Sequence, residues 1–213
     1  MKALWAKSNI WILTAAGIAV AVYMVLTWDT MPAGQRALGF FVIAITLHEW
    51  EEGHFPGGFY ELMTKKFGIE DYTPEQADLS HGAVVIAIVF FAYVPFLLWE
   101  QAPWLAGIPA ILGFFEAVIH IVGIKIHKLP RPYSPGMATA LLCLLPSAIA
   151  IVMFATPGIG VGGWALAVVC YFVIFGCMEV MVWRAFGVDP RTIPGRMRKT
   201  SVPCILSSSI SCP

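Results

Sequence analysis

Six apolar runs, each close to the length of a bilayer crossing, govern what this chain can fold into. They cover residues 9–28, 37–53, 80–99, 103–124, 135–155 and 160–183. About 20 apolar residues in a helix cross the hydrocarbon core. Within lipid each segment must satisfy its own backbone hydrogen bonds, which excludes lone strands and open sheets. The alternating pattern of a membrane barrel is absent as well. Only 12% of the residues are charged and 59% are hydrophobic, whereas soluble domains carry about 25% charged residues. The sequence therefore predicts an all-α polytopic membrane protein, a six-helix bundle forming one transmembrane domain over residues 1–186. Residues 187–213 read as a basic and then low-complexity tail, expected to be disordered. The first run has full spanning length and no small-residue cleavage site after it, so it is expected to be a span rather than a removable signal.

The cations set the expected orientation. With the N-terminus inside, Lys2, Lys7, Lys65, Lys66, Lys125, Lys128, Arg131, Arg184, Arg191, Arg196, Arg198 and Lys199 fall on the cytoplasmic side, and only Arg36 falls outside. That asymmetry is the positive-inside pattern for an even number of spans with both termini in the cytoplasm. The one sizeable loop, between spans 2 and 3, is cytoplasmic, and an interfacial amphipathic turn is expected around Phe59–Phe67.

This topology gives meaning to LHEWEEGHF, residues 47–55, at the inner end of span 2. Span 4 descends to the same side carrying Glu116 and His120, span 6 carries Glu179, and span 3 starts near His81. Ionisable groups inside spans cost about 2.5–3.5 kcal/mol each on insertion scales, so they normally mark function. His48 and Glu52 are one turn apart, as are Glu116 and His120. Two helices thus each offer an imidazole and a carboxylate, the arrangement by which helical bundles build metal centres.

His48, Glu52, Glu116 and His120 are the principal candidate ligands, joined by Glu51 as a ligand or as a general base. Glu51 with His54 also forms E-x-x-H, the pair found in carboxylate-bridged dinuclear sites. His54, His81 and Glu179 are further candidates. An all nitrogen and oxygen set suits one or two ions of zinc, iron or manganese. The plainer alternatives are a buried ion network that ties helices together, a solvated His54, and an interfacial His81 behind Ser80 as a helix cap. Glu49 is expected to face away from His48.

H-x-x-E-E at His48–Glu52 and Y-x-P-G at Tyr133–Gly136, with a further histidine, resemble the HXXEE-motif family of bacterial membrane proteins. His120 is the choice for that histidine, and His81 the alternative. The resemblance covers roughly residues 37–155 and implies an integral membrane protein; it implies no substrate or reaction. The residues themselves read as a turn: prolines at 130, 132 and 135 stop span 4, and Tyr133 can point its hydroxyl at the cluster. Tyr133 is accordingly a candidate catalytic residue, beside the reading of PRPYSPGM as a rigid connection.

These features favour a metalloenzyme acting on a lipophilic substrate near the cytoplasmic boundary, by hydrolysis with metal-activated water or by di-iron-type oxidation. Membrane lipids are its expected surroundings, and no nucleic acid partner is expected. A metal-ion or proton transporter is the alternative, since Glu and His chains also act as relays, but the outer halves of the spans offer no matching polar path. A non-catalytic scaffold is the third reading. The oligomeric state is open.

Overall fold

The computed structural model describes residues 2–69, 71–193 and 195. Among these, seven helices and short turns account for the regular structure. They are α1 (Lys2–Leu26), α2 (Ala33–Gly53), α3 (Phe59–Lys66), α4 (Pro74–Leu98), α5 (Pro103–Ile126), α6 (Met137–Phe154) and α7 (Val161–Ala185). Five of them are long and apolar enough to cross a membrane: Ser8–Leu26 of α1, and α4 to α7. The protein is an all-α polytopic membrane protein. The remaining long helix, α2, has 21 residues and ends in the charged stretch HEWEEG.

Six helices close into a ring in which α1 packs on α2, α2 on α6, α6 on α5, α5 on α7, α7 on α4, and α4 back on α1. Its interior holds Phe41, Phe91, Phe96, Leu144, Ile151 and Tyr171, each nearly inaccessible. The perimeter is apolar instead of charged: Val25, Leu97, Leu142 and Phe172 are among the exposed large side chains. That inverted surface is what lipid contact demands. Where α5 meets α6 the backbones approach closely, and a Cβ on Gly113 would lie 2.7 Å from Ala148 Cβ.

Two helices widen locally. Val89–Tyr93 in α4 and Ala140–Leu144 in α6 are π turns, each leading into a proline, Pro95 and Pro146. Proline lacks an N–H and its ring collides with the carbonyl four residues back, and a widened turn relieves both.

Helix boundaries differ from the sequence expectation where polar residues extend the helices. Span 3 begins at Pro74, not Ser80: Thr73 caps it, accepting from Gln76 N while the Gln76 side chain accepts from Thr73 N. Ser80 is fully buried within the helix, so His81 lies two turns inside and is not at a cap. The expected amphipathic turn is α3, with Lys65 and Lys66 in its last turn. Most of the expected tail, residues 196–213 with Cys204 and Cys212, lies outside the described residues.

Candidate metal centre

Four side chains converge between α2 and α5. One ligand atom each from His48, Glu52, Glu116 and His120 lies within 4.8 Å of all the others, the one such group among the described residues. His48 Nε2 is 3.4 Å from Glu52 Oε1 and 3.8 Å from Glu116 Oε2. His120 Nε2 is 3.1 Å from Glu52 Oε1 and 3.5 Å from Glu116 Oε2. Both histidines are 2% exposed. Each helix contributes a pair four residues apart because such positions lie one above the other on the same face.

The other ring nitrogens are held from α6 and the turn before it. His48 Nδ1 lies 3.0 Å from Thr139 Oγ1, and His120 Nδ1 lies 3.0 Å from Ser134 Oγ. A hydroxyl has one proton to give. Thr139 gives its proton to Glu51 Oε2 at 2.5 Å, and Ser134 gives its own to the His120 carbonyl at 3.1 Å. Each hydroxyl must then accept from the imidazole, so both rings carry their proton on Nδ1. Nε2 of each ring is therefore the nitrogen that faces the two carboxylates, as a lone pair for an ion or as the N–H of an imidazolium. Lone pairs opposed to carboxylate oxygens repel unless a positive charge stands between them.

A metal fits this arrangement. His120 Nε2 is buried and makes no hydrogen bond among the described residues despite its short distance to Glu52. Donors sharing one ion at about 2.0–2.2 Å sit roughly 3–4.4 Å apart, and the four gaps of 3.1, 3.4, 3.5 and 3.8 Å fall in that range. Hydrogen bonds that fix a ligating ring through its second nitrogen are a regular part of metal sites. Two imidazoles and two carboxylates suit zinc, iron or manganese.

Gly136 closes the group from the loop side. It adopts φ +90°, and a Cβ there would lie 2.6 Å from His120 Cε1, 2.7 Å from Glu52 Cγ and 2.8 Å from His48 Cε1. Glycine alone combines that backbone with that proximity.

Glu51 is not among the four. Its carboxylate accepts from Tyr133 Oη at 2.6 Å, Ala138 N at 3.0 Å, and Thr139 N and Oγ1 at 2.7 and 2.5 Å. Glu51 thus clamps α2 to the start of α6, an N-terminus whose free N–H groups favour an anion. Tyr133 reaches Glu51 rather than the cluster. Burial, and then the hydrogen bond to Glu51, hold the Tyr133 phenol well above its ordinary pKa. The two motifs divide their work: Tyr133 and Thr139 hold Glu51, Ser134 holds His120, and Gly136 makes room.

The remaining candidates lie elsewhere. His81 Nδ1 is 2.7 Å from Asn9 Oδ1, and its Nε2 is 3.3 Å from Glu49 Oε2, forming a second buried polar group. Glu49 does face away from His48, but it is buried, not at a wet edge. His54 is exposed, with its ring 4.8 Å from that of Trp50, and it lies outside the group of four. Glu179, a further candidate ligand, accepts from Trp183 Nε1 at 2.8 Å and lies outside the group of four. Sequence reasoning missed Thr139, Ser134 and Asn9 as partners. A hydroxyl beside Gly136 and another one turn later were the available signals.

A cavity of about 300 Å³ opens from the centre. His48, Glu52, Glu116 and His120 line one part of it, and Phe59, Met63, Phe91, Phe115, Met178 and Trp183 are among its apolar walls. Tyr60 also lines it, and burial, with the Glu49 and Glu52 carboxylates nearby, holds its phenol well above the ordinary pKa.

Fold and site together define a polytopic helical membrane protein with a buried histidine–carboxylate centre facing an apolar cavity. The chain belongs to the HXXEE family: the family model described as a protein of unknown function with HXXEE motif matches residues 39–151, which include all four clustered residues. No curated protein and no solved structure matches the chain.

Proposed function

We propose that this protein is a metal-dependent enzyme of the membrane, acting on a lipophilic substrate held in the cavity. The reading rests on two histidine Nε2 atoms turned towards Glu52 and Glu116, with Thr139 and Ser134 holding the opposite nitrogen of each ring. The residues that would hold the ion are His48, Glu52, Glu116 and His120, and a bound metal would supply activation of water or, as iron, of oxygen. Apolar walls exclude bulk water and position a hydrocarbon substrate. Tyr60, with its phenol protonated in the cavity wall, is placed to donate to a polar atom of that substrate. Glu51 acts as an anchor, since its oxygens already accept four donors. The cation asymmetry supports both termini in the cytoplasm, and the resemblance of the motifs to a bacterial family points to a bacterial inner membrane as the location.

Elemental analysis of the purified full-length protein in mild detergent tests the reading. About one equivalent of a first-row metal is expected in the native protein, reduced to background by His48→Ala or His120→Ala. Glu179→Gln, outside the four and still able to accept from Trp183, should keep its metal. A folded native protein that takes up no zinc, iron or manganese would return the cluster to a structural ion network.

A further inference from the structure

The cavity has a second polar end, and that end is cationic. Along α5 and its C-cap, Glu116, His120, Gly123 and His127 follow one another at helical spacing, and all four line the cavity. Gly123 interrupts the stripe: a Cβ there would meet only His127 Cδ2, at 3.8 Å. Between the four-group centre and His127 the helix therefore presents bare backbone, and the space continues over it. Lys66 of α3 lines the same cavity and has no ion-pair partner among the described residues. Lys66 lies close enough to His127 to add to burial in lowering the pKa of that ring.

We infer that the cavity takes an amphiphile with one hydrocarbon chain and an anionic head, the head at Lys66 and His127 and the chain passing Gly123 towards the centre. This rests on reading the cavity as the substrate site. A volume of about 300 Å³ is the space of on the order of ten water molecules, enough to take up a hydrocarbon chain. The head belongs at the Lys66 end because that cation lines the cavity there, whereas Glu52 and Glu116 repel it at the other end. The chain belongs between them because the walls there are Phe59, Met63, Ile119, Met178 and Trp183. Substrates bound this way meet the centre with chain atoms, not with their head group.

Native mass spectrometry of the full-length protein in a nonionic detergent measures this directly, with dodecanoate and dodecyltrimethylammonium as probes and metal content read on the same samples. Dodecanoate should bind saturably at one per chain, and the cationic probe should bind much more weakly. Gly123→Leu fills the gap with a better helix former, so the fold should hold while dodecanoate affinity drops by about tenfold or more. Lys66→Gln should lower it by about threefold, the scale of a single partly exposed charge pair. Binding should survive chelation of the metal. Equal binding of both probes, or no effect of Gly123→Leu, would overturn the inference in favour of unspecific partitioning. Loss of dodecanoate on chelation would overturn it too, by placing the head on the metal. Dodecanoate bound as described by a metal-free protein sinks only the metal reading, and metal without dodecanoate sinks only this one.

Discussion

Thr139 lies 3.0 Å from His48 across 91 positions of sequence, its hydroxyl against Nδ1 of the ring. The same hydroxyl donates to Glu51 at 2.5 Å. One threonine on α6 thereby joins the first glutamate of H-x-x-E-E to the histidine three residues before it. The carboxylate fixes the hydroxyl, and the hydroxyl fixes which nitrogen of His48 is free.

Replacing that hydroxyl should uncouple the ring from its anchor. Thr139→Val keeps the shape and removes the acceptor, and outer partners of metal-binding histidines are typically worth about 10–100-fold in affinity. Competition with a chelator should show a loss of that order in Thr139→Val and near-native affinity in Thr139→Ser. Equal affinity in all three proteins would mean that the hydroxyl does not orient His48.

Gly136→Ala probes the floor of the centre. The added Cβ lies 2.6 to 2.8 Å from His120, Glu52 and His48 at φ +90°, and the backbone strain alone costs about 1–3 kcal/mol. The variant should insert in the membrane, melt at a lower temperature, and lose its metal. Native metal content in this variant would show that the turn is free to move away.

Alkali should act through Tyr133. Its phenol is held above the ordinary value by burial and by Glu51, so the folded state favours the neutral form. That contribution is whole below the unfolded value of about 10 and is lost as the pH rises through the higher folded value. The native protein should therefore lose melting temperature above about pH 10 more steeply than Tyr133→Phe. At neutral pH the variant itself should be less stable by about 1 kcal/mol, the worth of its hydrogen bond to Glu51. Parallel curves through the alkaline range would rule out Tyr133 as the titrating group.

Orientation is the fourth expectation. The clustering of cations on one side of six spans predicts both termini in the cytoplasm. Fusions after Ala185 should be active with a cytoplasmic reporter and silent with a periplasmic one. The opposite pattern would place the metal centre at the outer boundary.

The sequence by itself determined the helices and their place in lipid. Spanning-length apolar runs have no other way to satisfy their backbone, and the two pairs spaced by four could only lie on common helix faces. The prolines and glycine of PRPYSPGM marked a turn for the same local reason. Tertiary structure alone decided the partners. Glu49, Glu51 and Glu52 are near neighbours in the chain, yet about 100° per residue of helical rotation points them three ways. Glu49 meets His81 on α4, Glu51 meets Thr139 on α6, and Glu52 meets His120 on α5. Which carboxylate joins the group of four and which becomes an anchor depends on the helix each one faces in the closed ring. No local pattern of charge encodes that, because the facing is set by how six helices pack around a common core.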